Sequence, residues 1–144
     1  MHKVQRSVLV PYSDAQMFDL VAGVEHYPEF MPWCGGAQVL SRDEHGMQAS
    51  ITISFAGIKQ HFTTRNTHVF PQRIDLELVD GPFSMLVGHW QFQALAEDAC
   101  KVLYTMEYEF SNRALEALVG PVFNRIASSF IDSFTKRAGA VYGE

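Results

Sequence analysis

The chain has 144 residues and a mass of 16.2 kDa, the size of one ordinary domain, long enough to bury most of its apolar surface in a single core without disulfides or metal. Its 47% hydrophobic and 19% charged residues are near globular averages, and no stretch is Pro/Ser-rich, single-signed or low in complexity, which excludes a disordered or fibrous chain. The net charge of -5 and pI near 5.6 lack the basic footprint of a protein that grips nucleic acid by its phosphates, so direct DNA binding is not expected. A contact with the basic protein part of a nucleoprotein particle is untouched by that argument. No apolar run reaches the roughly 18 residues that span a bilayer, and the opening Met1-His2-Lys3-Val4-Gln5-Arg6 is not a signal-peptide block. The chain is expected in the cytoplasm, with transient membrane contact left open. Cys34 and Cys100 lack CxxC spacing and are read as reduced thiols.

The first strand is expected over Lys3 to Val10, ended by Pro11. Ser13-Asp14-Ala15-Gln16 has the form of a capping box, and Met17, Leu20, Val21 and Val24 follow at helical spacing. A short helical turn is expected over Glu25 to Phe30, ended by Pro28, Pro32 and the pair Gly35-Gly36, read as the turn into the next strands. From Ala37 to Phe110 the period is two. Met47, Ala49, Ile51, Ile53 and Phe55 form one such set, Ile74, Leu76 and Leu78 a second, and Val102, Tyr104, Met106, Tyr108 and Phe110 a third. Turn signals at Asp43 to Gly46, Gly57, Pro71-Gln72, Asp80-Gly81-Pro82 and Glu97-Asp98 cut this region into a meander of about six strands. The last segment reverts to the 3.6 period: Leu115, Leu118, Val119, Val122, Phe123, Ile126, Ala127, Phe130, Ile131, Phe134, Ala138 and Val141 lie on the stripe. Arg125, Asp132, Lys136 and Arg137 lie off it. Pro121 is expected to kink or restart this helix.

This order predicts a single α+β domain over 1–144, a curved antiparallel sheet of about seven strands with one long helix across its concave face. One helix cannot fill so wide a concavity, and the remaining space is either collapsed core or a pocket for a small hydrophobic ligand.

Candidate chemistry is sparse. The six histidines show no metal-ligand pair, and His61 and His68 fall on opposite faces of one strand, so no metal site is predicted. Cys34 has only His26 as a nearby base and is read as an inert thiol. No nucleophile elbow, phosphate loop or dinucleotide fingerprint is present, so no catalytic residue is assigned. The acidic pairs Glu107/Glu109 and Asp75/Glu77 fall on the solvent phase of their strands. Arg65 and Asn66 stand out as polar residues among Phe62, Val69 and Phe70, and the rings are numerous enough to serve as core or as pocket walls.

Tyr27-Pro28-Glu29-Phe30-Met31-Pro32-Trp33-Cys34 is followed by Gly81-Pro82-Phe83 with Leu86, Gly88, Trp90 and Phe92, and by Phe134, Arg137, Ala138 and Val141-Tyr142-Gly143. Across nearly the whole chain these resemble the coenzyme-Q-binding START-domain family. The likeness is to its bacterial branch of ribosome association toxins, formerly described as oligoketide cyclases or lipid transport proteins. The resemblance implies a helix-grip (START/Bet v 1-like) fold around an apolar cavity and three functions. The first is non-enzymatic binding of ubiquinone or a related polyprenyl lipid in support of respiration. The second is binding of the large ribosomal subunit to block subunit association. The third is a polyketide cyclase-like activity, for which Arg65, His68 and Tyr104 are the candidate acids and bases. Carried over onto this chain, Tyr27, Pro28, Phe30, Pro32 and Trp33 would form the mouth of the cavity. Trp90 and Phe92 would lie on its sheet side and Phe123, Phe130 and Phe134 on the helix, with Trp33 facing Phe130 across it. Arg65 would donate to a ligand carbonyl, its alternative being a surface strand arginine. No cofactor other than the ubiquinone-like lipid is implied.

Overall fold

The computed structural model describes residues 2–55 and 57–143. Strand β1 (His2–Val10) pairs antiparallel with the last strand along its whole length, from His2 opposite Tyr108 to Val10 opposite Cys100. Helix α1 (Asp14–Ala22) starts on the expected capping box. Ser13 Oγ accepts from the Gln16 N–H at 3.1 Å, and Gln16 Oε1 accepts from the Ser13 N–H at 2.9 Å, which satisfies donors that the first helical turn leaves without partners. A 3₁₀ turn (Val24–His26) and the one-turn helix α2 (Tyr27–Phe30) follow. Pro28 sits in the first turn of α2, where no backbone donor is needed.

The meander is β2 (Cys34–Asp43), β3 (Gly46–Phe55), β4 (Ile58–Val69), β5 (Arg73–Asp80), β6 (Phe83–Ala96) and β7 (Ala99–Phe110). All five turns fall where the turn residues placed them. The spatial order is β1-β7-β6-β5-β4-β3-β2, one seven-stranded antiparallel sheet. Gly46 closes the β2–β3 hairpin at φ +154°, where a Cβ would lie 1.9 Å from the Asn66 carbonyl oxygen, so only glycine fits.

Two local expectations are corrected. Gly35 and Gly36 are not a turn: β2 already begins at Cys34, and its register with β3 shifts between Cys34 and Gly36. A Cβ on Gly35 would come within 2.9 Å of Ser54 Cβ, so the glycine serves a bulge and a close strand approach. Nor does Pro121 restart the final helix. Helix α3 (Arg113–Tyr142) is continuous over 30 residues, capped by Asn112 Oδ1 accepting from the Leu115 N–H at 2.9 Å. It buries the predicted stripe from Val119 to Ala138 except Val122, which is half-buried, whereas Leu118 and Val141, near its two ends, are exposed.

Alternation along the strands decides what meets α3. Ala49, Ile51 and Ile53 of β3, Phe62, Thr64 and Asn66 of β4, Trp90 and Phe92 of β6, and Tyr104, Met106 and Tyr108 of β7 are all buried. Their partners one residue away point to solvent. The rings interlock: Phe123 of α3 lies 4.9 Å from Phe83 and 4.8 Å from Tyr108, centroid to centroid, and Trp90 stacks on Tyr104 at 4.4 Å. Edge-to-face and stacked contacts of this kind add roughly 0.5–1.5 kcal/mol each beyond their buried area. The concavity under α3 is therefore mostly packed core.

Candidate functional site: an aromatic partition between a core cavity and a surface cleft

Two spaces flank α3, and they stand back to back. The inner one is a small cavity of about 40 Å³, enough for about one small molecule the size of water. Of the residues nominated from sequence, it brings together Tyr27, Trp90, Phe130 and Phe134, closed by Val24, Met31, Ile51, Leu76, Leu86 and Met106. Its polar part comes from β4, where the Thr64 hydroxyl donates to Asn66 Oδ1 at 2.7 Å, both side chains being buried. That bond occupies the Asn66 carbonyl and leaves its NH₂, a pure donor, for any other partner.

The outer space is an open cleft of about 490 Å³ between the Phe30–Trp33 segment, the end of β3 and one face of α3. Phe30, Pro32, Trp33 and Phe55 form one wall, and Arg125, Ser129, Ser133, Lys136 and Arg137 much of the other. Successive residues serve opposite sides. Phe30 and Pro32 face the cleft while Met31 faces the cavity; Ser129 and Ser133 face the cleft while Phe130 and Phe134 face the cavity. The wall between is aromatic: Trp33 packs on Phe130 at 5.4 Å and Phe30 on Phe134 at 5.7 Å. The expected placement of Trp33 and Phe130 across an open cavity is thus corrected to direct contact, because the rings fill the space that would separate them.

The remaining nominated residues lie elsewhere. Phe92 packs against Phe18 and Trp90 and Phe123 within the ring cluster at the other end of the grip; neither lines the cavity. Arg65 does not point inward. Phe62, Thr64 and Asn66 set the inward phase of β4, so Arg65 emerges on the outer face, where its Nη2 bonds Asp43 Oδ2 at 3.0 Å. The polar residues of this strand that meet the interior are Thr64 and Asn66, as counting from Phe62 in steps of two would have found.

Electrostatics follow the same division. Tyr27 donates its hydroxyl to the Val21 carbonyl, and burial raises its pKa. Burial likewise pushes Tyr104 well above the ordinary phenol value. The half-buried His68 is held below the usual imidazole range by desolvation and then by the Arg42 and Arg65 charges, and its Nε2 is buried without a partner. At the cleft, the Arg125 guanidinium lies 5.5 Å from the Phe55 centroid and that of Arg137 lies 5.0 Å from the Phe30 centroid. Arg137 Nη2 also bonds Glu29 Oε1 at 2.9 Å. His26 and Arg137 together lower the Glu29 pKa, the His26 hydrogen bond being the larger cause. The cleft cations were visible in the sequence only as residues off the helical stripe. Among the described residues no cluster of three or more His, Cys, Asp or Glu could hold a metal, and no helix is long and apolar enough to cross a membrane.

Seven antiparallel strands gripping one long helix over an aromatic core give a START-like fold. Residues 10–135 match the family described as polyketide cyclase / dehydrase and lipid transport, and the chain belongs to it. It is 47% identical over 144 residues, covering 100% of both chains, to the ribosome association toxin RatA of Vibrio cholerae. To the mitochondrial coenzyme Q-binding protein COQ10 homolog B of Xenopus laevis it is 26% identical, covering 95% of this chain and 58% of that one. The solution structure of the 18 kDa protein CC1736 from Caulobacter crescentus superposes with a TM-score of 0.76 at 30% identity, covering all of both chains.

Proposed function

We propose that this protein acts on the ribosome in the cytoplasm, binding the large subunit and opposing subunit association, without catalysing a reaction. The observation that carries this reading is end-to-end similarity, at 47% identity, to a protein named as a ribosome association toxin. The interior supports the non-enzymatic part. Among its described lining residues the only titratable side chain is Tyr27, whose proton is committed to a backbone carbonyl. The three cyclase candidates Arg65, His68 and Tyr104 do not line the cavity. With a net charge of -5, the chain would depend on particular contacts more than on bulk attraction to RNA phosphates. Adding purified protein to ribosomes and sedimenting them through sucrose tests the proposal: free subunits should accumulate as whole ribosomes decline.

A second reading, hydrophobic-ligand binding, is favoured by the two spaces meeting at one aromatic wall. Ligand pockets usually measure roughly 300–1,000 Å³, so the 40 Å³ cavity does not admit a quinone ring as it stands. A ubiquinone-like lipid would have to part Trp33 from Phe130 and join the cavity to the cleft. Mass spectrometry of an organic extract from protein made in a quinone-producing host, together with a melting-temperature rise on adding a ubiquinone analogue, tests this. Absence of both would remove it.

A further inference from the structure

We infer that the outer cleft seats an RNA phosphodiester backbone, held by Arg125, Lys136 and Arg137 without regard to base sequence. RNA is taken as the polyanion on the strength of the ribosome reading, and the cleft is then the face that meets the particle.

Charge is segregated in this molecule. The chain has a net charge of -5, yet three cations and, among the described residues, no carboxylate line the cleft. Arg125 and Lys136 are exposed, and among the described residues neither forms an ion pair. Asp132, one turn before Lys136, stays outside the lining. Arg137 gives one donor to Glu29, and a guanidinium has five. An acidic body with one cationic cleft is steered to a polyanion in a single pose instead of adsorbing loosely.

The spacing suits a run of phosphates. Arg125, Ser129, Ser133 and Arg137 recur every fourth residue along the cleft, about 18 Å of helix axis. Guanidinium, ammonium and hydroxyl groups are the donors that proteins set against phosphate and sugar oxygens. Ser129 turns its hydroxyl back onto the Ile126 carbonyl at 2.9 Å, which leaves open floor between the cationic ends.

The rings decide for backbone over bases. The Arg125 and Arg137 guanidinium groups lie 5.5 and 5.0 Å from the Phe55 and Phe30 centroids. That contact orients both groups and denies the ring faces to stacking bases. A particle built of RNA and basic protein offers these cations its RNA, because basic protein is repelled.

Fluorescence anisotropy of a labelled RNA duplex, beside cosedimentation with purified large subunits at fixed magnesium, tests the assignment. Three phosphate contacts should weaken duplex binding roughly 20- to 40-fold between 50 and 200 mM salt, and two duplexes of unrelated sequence should bind alike. Arg125→Gln/Lys136→Gln should weaken duplex and subunit binding about tenfold and lower the logarithmic salt slope by about two, with an unchanged circular dichroism spectrum. Arg6→Gln/Lys101→Gln, which removes the same charge from β1 and β7, should change either binding by less than about twofold. If the cleft variant holds large subunits as well as the unaltered chain does, the cleft assignment fails and the ribosome reading stands. If the unaltered chain binds the duplex with these losses but does not sediment with subunits, the assignment stands and the ribosome reading fails. Equal losses in the two double variants, or displacement of the duplex by polyglutamate at a lower concentration than by unlabelled RNA, would overturn the proposal.

Discussion

Truncating Trp33 to alanine should cost much less stability than truncating Phe123, although both rings are buried. Phe123 is fully enclosed, with the rings of Tyr108, Phe83 and Phe62 at 4.8, 4.9 and 6.0 Å. Its replacement leaves a void that the surrounding rings cannot close. Large aromatics in such sites lose about 3–5 kcal/mol on truncation to alanine, and four ring contacts, Phe110 being the fourth at 6.2 Å, place Phe123→Ala in the upper half of that range. Trp33 has one ring partner, Phe130, no hydrogen bond on its indole nitrogen, and a cleft along its outer side. The space it vacates merges with the cleft and fills with solvent, so much of the cavity penalty is absent and about 2 kcal/mol is expected. Urea unfolding followed by far-ultraviolet circular dichroism, with a shared slope across the set, measures both. A loss in Trp33→Ala equal to that of Phe123→Ala would make Trp33 ordinary core and refute the partition between cleft and cavity.

Thr64→Val should destabilise by about 1–3 kcal/mol, because it leaves the buried Asn66 carbonyl without its donor, whereas adding Asn66→Leu should recover most of that loss. A double-mutant cycle in urea reads the coupling, and additive losses would argue against the bond. Arg65→Gln should shift stability by less than about 1 kcal/mol, since its ion pair with Asp43 lies on the outer face of the sheet; a core-sized loss would contradict that orientation. Burial raises the Cys34 thiol pKa and pushes that of Cys100 from its ordinary 9.0 up to about 11. Each thiol stays neutral when folded and ionises when unfolded, so its contribution is complete below the unfolded value and is lost as pH climbs toward the folded one. Stability should hold up to about pH 8 and then decline, by about 1.4 kcal/mol per pH unit for each thiol ionised only in the unfolded chain. Unfolding titrations that stay level to pH 11 would refute the shifts.

The fold was largely legible because its signals are local. The capping box at Ser13, the period of two from Met47 to Phe110, and turn residues between every pair of strands each act over a few positions. Where long-range packing decides, the reading failed in identifiable ways. Gly35-Gly36 carries the composition of a turn, yet the approach of Ser54 from β3 makes it part of a bulged strand. Pro121 lies in an otherwise unbroken apolar stripe, and tertiary burial of Val119, Phe123 and Ile126 carries α3 through it. For Arg65 the resemblance leaves a ligand contact and a surface strand arginine both open, and the phase set by Phe62 decides for the surface, where the Asp43 ion pair lies, and names Asn66 as inward. How far the cavity closes was not legible at all, since it depends on how Phe30 and Trp33 meet Phe134 and Phe130 of α3, about a hundred residues away in the chain. The cleft cations were read correctly as off the stripe, but only the fold places Phe30 and Phe55 beneath them.

Sucrose-gradient sedimentation of ribosomes with saturating purified protein tests directly whether this chain acts on ribosomes. Free small and large subunits should grow at the expense of whole ribosomes, with the protein migrating in the large-subunit fractions. An unchanged profile with all of the protein left at the top of the gradient would contradict it.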